Sequence, residues 1–287
     1  MVRSSTTHLL TVILTSGNHD SAIRLGFGAE LTETAGIHLR TSVTAVADPV
    51  VLHDVHGPVG VYGLPYLVPD AVRDYLGADR SHESVLRAAT SRLLADSRER
   101  GLERVVVMAH AFVTGSESAA VSESERDLRV GGIADSPASA LDGPAYVALG
   151  HLHRPQDVRL TGSSTVVRYS GSPLAFSFSE KDDVKSVSLV DIDAAGRVSI
   201  SEETTPVPRR LREVRGRLED LLDDPALEHL ATSWLKVTLT DPSRPLAAME
   251  RLQRRFPHTL VIDFDPDDAR VSTSDDLSRL ASTSDPV

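Results

Sequence analysis

Three short apolar runs in this chain each stop at residues able to bind a metal ion, and this narrows the folds open to it. Leu9 to Thr15 leads into Ser16-Gly17-Asn18-His19-Asp20, Arg104 to Ala109 into His110, and Ala145 to Leu149 into Gly150-His151-Leu152-His153. Runs of this length bounded by turn residues read as buried strands. If they lie parallel in one sheet, their carboxyl ends bring Asn18, His19, His110, His151 and His153 to a single edge, where α/β folds place their ligands.

The rest of the chain fits around those strands. Val59 to Leu64 reads as another strand, and a helix is expected from about Ser81 to Arg100, with Leu86, Leu93 and Leu94 on one face, Ser81 as N-cap and Gly101 as C-cap. Val166 to Tyr169, Val184 to Ile192 and Arg197 to Ser201 follow as strands with no room for helices between them, so late antiparallel pairing is implied. Two prolines within Thr204 to Pro208 mark a boundary. Beyond it the pattern predicts helix Arg210 to Leu222, strand Trp234 to Leu239, helix Pro245 to Arg255 and strand Leu260 to Phe264, a small α/β module. The tail after Pro266, rich in Ser, Thr and Asp, is expected to be mobile.

Composition removes several classes of function. The chain has no cysteine, so a disulfide framework and thiolate metal sites are excluded; a reducing, cytoplasmic compartment is the expectation. No apolar run approaches the ~20 residues that span a bilayer, so a soluble protein without membrane contact is expected. The formal net charge of −11 argues against coating nucleic acid non-specifically. Arginines nevertheless cluster at Arg209, Arg210, Arg212, Arg215 and Arg217 and at Arg251, Arg254 and Arg255; the plain reading is a pair of solvated helix faces.

Three imidazoles and an amide oxygen without thiolate suit Mn, Fe or Zn. Gly17 and Gly150 read as backbone kept thin for close approach by an ion or substrate. Each motif alone is more often a turn or a satisfied buried histidine; their order along the chain favours a site.

In that order the motifs resemble the calcineurin-like metallophosphoesterases, with a GNHD loop, a lone histidine after a strand and a GHLH loop. Longer strings resemble the SbcD family of exonuclease subunits: GLPYLVP at 63–69, AHAFVTG at 109–115, YVALGHLHRPQ at 146–156 and YSGSPLAFSFSE at 169–180. The resemblance implies a metallophosphoesterase β-sandwich core flanked by helices (residues 1–204), lacking its first strands, a DNA-guiding α/β capping domain (207–265) and a mobile tail (266–287). It also implies two divalent ions, manganese foremost, with Asn18, His110 and His151 binding one and His153 the other, and His19 as the catalytic histidine beside the scissile phosphate. Asp20 would orient its neighbour. The implied function is metal-dependent double-strand exonuclease and single-strand endonuclease activity in DNA repair, recombination and replication, with an SbcC-type ABC ATPase as partner.

The sequence departs from that family before Asn18. The family's Asp-x-His and Gly-Asp motifs, whose aspartate bridges the two ions, have no counterpart in Met1 to Ser16, which contain no aspartate. The chain's Asp54-Val55-His56 lies after GNHD and beside Gly57-Pro58, where a hairpin turn is the simpler reading. Three functions therefore stand open: a DNA nuclease subunit, a phosphoesterase on another substrate, and a catalytically dead remnant acting as a binding protein.

Overall fold

The computed structural model describes residues 10–115 and 136–267. The tail from 268 onward, Leu9 and the start of the first apolar run lie outside the described residues. The chain divides into two compact units, Met1–Leu174 with Asp183–Thr205, and Ala175–Asp182 with Pro206–Val287.

The first unit is a mixed α/β assembly. Its elements are β1 (Val12–Thr15), α1 (Ala22–Leu25), α2 (Ala29–Glu33), β2 (Ile37–Arg40), β3 (Val50–Asp54), β4 (Gly57–Leu64), α3 (Pro69–Leu76), α4 (His82–Glu99), β5 (Arg104–His110), β6 (Val113–Thr114), β7 (Ser136–Pro137), β8 (Tyr146–Gly150), β9 (Gln156–Val158), β10 (Val166–Tyr169), β11 (Ser186–Ile192) and β12 (Val198–Thr204). A six-stranded sheet runs in the order β3-β4-β5-β8-β10-β9. Strands β4, β5, β8 and β10 are parallel, while β3 and β9 close the two edges antiparallel. The central strands read as continuous apolar runs; Val105, Val107, Ala109, Val147 and Leu149, at alternate positions on one face, are buried, while Val106, Met108 and Ala148 on the other face are partly buried.

One expectation about this sheet is corrected. The first run does not join it: β1 pairs in parallel with β2 in a separate two-stranded sheet. The loop after β1 is nevertheless anchored to the loop after β4, where Tyr66 N–H donates to the Ser16 carbonyl at 2.9 Å. Late antiparallel pairing takes the form of the β11–β12 hairpin and the β9–β10 pair, whereas β10 itself runs parallel to β8.

Helix α4 follows its sequence closely. The Ser81 hydroxyl accepts from Ser84 N–H at 3.1 Å, capping the first turn. Val85, Leu86, Ala89 and Leu93 are buried at i, i+3, i+4 spacing, each large side chain contributing ~1.5–3 kcal/mol of apolar burial. Gly101 takes φ +68 just past the end, the left-handed conformation that terminates helices.

The second unit contains β13 (Leu211–Gly216), α5 (Leu218–Asp223), β14 (Trp234–Leu239), α6 (Ala248–Arg255) and β15 (Thr259–Phe264). Its parallel sheet has the order β13-β14-β15, and Leu218, Leu221, Leu235, Val237, Leu252 and Phe256 form its core. The expected helix from Arg210 to Leu222 is wrong in its first half, which is strand β13. Leu211 and Val214 stand three residues apart, a helix-like spacing, but pairing with β14 overrides it together with the helix propensity of Arg and Glu. The earlier segment Ala175–Asp182 clusters with this unit; Lys181 there lies 3.0 Å from Glu213 on β13.

Candidate metal centre

His110 ends β5 directly opposite Gly150 at the end of β8. Its Nε2 lies 2.8 Å from Asn18 Oδ1, across 92 residues of sequence. Written as a hydrogen bond, the imidazole N–H donates to the amide oxygen. The His151 ring meets His110 edge-on with centroids 5.3 Å apart, and Phe112 packs tilted against His151 at 5.7 Å. Residues from three loops therefore meet at His110.

Both loop glycines act on that imidazole. A Cβ on Gly17 would fall 2.8 Å from His110 Cε1, and one on Gly150 would fall 3.1 Å from His110 Nδ1. The thin backbone makes room for the histidine ring, not directly for an ion or substrate as the sequence suggests. Asp20 closes the GNHD turn, its carboxylate accepting from Gly17 N–H at 2.7 Å while its own N–H donates to the Gly17 carbonyl at 3.2 Å. His19 is exposed beside it, and His153 is partly buried two residues beyond His151.

The local backbone at His151 is costly. Its φ is +115, a region that side chains with a Cβ rarely occupy, at an expense of order 1–3 kcal/mol. The surrounding β8 and GHLH loop hold it there.

Burial depresses the His110 pKa to about 4. Repulsion from His151 adds to the shift, Asp20 opposes it, and His19 and His153 lower it further. The ring is thus neutral at neutral pH, the form in which imidazole binds metal. Asn18, His110 and His151 are a donor set that suits one borderline divalent ion. They do not fit a two-ion centre: all are neutral, and Asp20 is engaged with the Gly17 amide. Among the described residues no group of three or more His, Cys, Asp or Glu is placed to hold a metal ion.

Asp54 and His56 lie elsewhere. Asp54 and Gly57 close the β3–β4 hairpin, and the Asp54 carboxylate takes both arms of the buried Arg104 guanidinium at 2.7 and 2.6 Å. That ion pair, with the His56 N–H as a further donor, holds the carboxyl well below the usual carboxylate range.

Sequence reasoning missed the supports. Tyr66 stands edge-on to His110 at 6.1 Å and tilted against His82 at 5.7 Å; burial raises the Tyr66 pKa and lowers that of His82. The fully buried Tyr169 hydroxyl accepts from Val113 N–H at 2.7 Å and donates to the Ala111 carbonyl at 2.9 Å, pinning the chain just after His110. A tyrosine ending a strand carries no mark of such a role; only the string containing it stood out.

Over 256 residues the chain is 27% identical to a protein of Staphylococcus epidermidis (strain ATCC 12228 / FDA PCI 1200), covering 88% of this chain. That relative is the SbcD component of the SbcCD nuclease. The chain matches 65% of the relative's own length. Residues 207–285 match the family model described as type 5 capsule protein repressor C-terminal domain, SbcD_C, which begins at the proline-marked boundary. No helix among the described residues is long and apolar enough to cross a membrane.

Proposed function

We propose that these 287 residues form an SbcD-type, phosphoesterase-like subunit that binds DNA and an SbcC-type ATPase but does not by itself hydrolyse the phosphodiester bond. The donor set at His110 carries this reading. Two cations held close around a nucleophile need anionic ligands to offset their repulsion, and Asn18, His110, His151 and His153 supply none. One ion, manganese foremost, would be held by Asn18, His110 and His151 and would supply Lewis acidity toward a phosphate oxygen. His19, exposed at the same loop, would donate a hydrogen bond to phosphate.

A second reading, hydrolysis of DNA by this site with His19 as the catalytic histidine, is favoured by the similarity to the staphylococcal SbcD protein over 88% of the chain. The capping role of residues 207–265 in guiding DNA belongs to both readings.

Calorimetric titration of the purified chain with Mn²⁺, duplex-DNA anisotropy across a salt series, and a cleavage assay separate the two. The proposal expects at most one ion, salt-dependent DNA binding and no cleavage. Two tightly held ions with cleavage abolished by His19→Ala would overturn it in favour of the nuclease.

A further inference from the structure

Lys185 is the most buried cation near the histidine cluster, with its side chain 1% exposed. A long cationic side chain is almost never fully buried without a specific partner. Its ammonium donates to the His153 carbonyl at 2.9 Å and to the Ser172 hydroxyl at 3.1 Å. Ser172 N–H donates to that same carbonyl at 3.0 Å. Asp183 supplies counter-charge, 3.8 Å from the ammonium, and is also bound by Arg154 at 2.8 Å. Arg154 follows His153 directly, so Asp183 and Lys185 grip the GHLH loop on both sides of one peptide unit.

Gly171 shows how close this packing is. A Cβ there would fall 2.8 Å from the His153 carbonyl oxygen, and Gly171 has φ +77. The chain from Gly171 to Ser172 is thus pressed against the loop, and Lys185 reaches the same oxygen from the start of the β11–β12 hairpin.

We propose that Lys185 is the positioning residue of the GHLH loop. Its buried ammonium fixes the His153 carbonyl, which sets the plane of the peptide after His153 and holds the strained His151 backbone so that the His151 imidazole stays packed against His110. The role rests on the reading of His151 as a metal ligand; the hold on the loop itself does not. Hydrogen bonds to charged groups are stronger than neutral ones, and a backbone carbonyl held by an ammonium is harder to reorient than one facing water.

The test uses the full chain with Lys185→Met, Lys185→Arg and Ser172→Ala. Amide hydrogen exchange is read at Leu152 to Arg154 and, as an internal control for overall stability, in α4. Lys185→Met should speed exchange in the loop by about tenfold beyond any change in α4, Ser172→Ala should do so less, and Lys185→Arg should restore most of the protection. Co²⁺ absorption then reports on the ligands: Lys185→Met should weaken Co²⁺ binding about tenfold and alter the visible band. Loop exchange that changes only in step with α4 would overturn the proposal. So would a Co²⁺ spectrum identical to wild type. Absent Co²⁺ binding by wild type, with selective loop loosening in Lys185→Met, would leave the positioning role standing and refute the metal reading instead. Should Lys185→Met fail to fold, Ser172→Ala alone decides, because the role requires selective loosening of that loop.

Discussion

His110 is neutral because its surroundings disfavour charge, and the sign of that effect sets a pH dependence. Its pKa falls from the ordinary 6.5 to about 4 in the folded protein, so between these values the unfolded chain binds the extra proton. Stability is fully present above pH ~6.5 and declines as the pH falls toward 4, by roughly 3 kcal/mol in all. Urea midpoints of the metal-free protein from pH 7 to pH 5 should show this slope, and His110→Gln should flatten it. His151 makes a second residue-scale prediction. With φ at +115, His151→Gly removes the backbone penalty while His151→Ala keeps it. The glycine variant should be the more stable of the two by about 1 kcal/mol in metal-free denaturation, and equal midpoints would show that the loop relaxes.

At the scale of elements, the β3–β4 hairpin and strand β13 both turn on which residues an edge presents. Asp54 faces Arg104, which is only 4% exposed, so Asp54→Ala leaves a buried guanidinium without that carboxylate. The variant should lower the urea midpoint and leave Co²⁺ binding unchanged; lost metal binding would make Asp54 a candidate ligand again. On β13, Arg212 and Arg215 fall on opposite faces because strand side chains alternate. Arg215 is bound to Asp265 at 2.8 Å and to Asp267 at 2.7 Å, and Arg251 to Glu219 at 2.6 Å. The basic cluster seen in the sequence is therefore divided and partly neutralised.

For the molecule as a whole, the two units have separate cores, which predicts separable unfolding. Phe256 is fully buried in the second core. Phe256→Ala should cost that unit ~3–5 kcal/mol and split the calorimetric transition, with the transition of the larger unit unmoved. A single transition shifted as one would show that the units are thermodynamically coupled.

The sequence by itself determined the strands β4, β5, β8, β10 and β14, the helix α4 with its caps, and the loops at Asn18, His110 and His151. Each rests on local chemistry: an apolar run, a capping serine, a glycine beside an asparagine or a histidine. It also carried the likeness to SbcD proteins in strings such as GLPYLVP. Only the tertiary structure decided the rest. β1 pairs with β2 outside the main sheet because pairing partners are chosen by long-range packing, which no local pattern records. Leu211 to Gly216 becomes a strand because β14 offers an edge, and the glycines at 17 and 150 prove to be spacers for an imidazole. Tyr169 and Lys185 gain their roles from carbonyls and amides far away in sequence, since a buried polar group takes whichever partner the fold brings within reach.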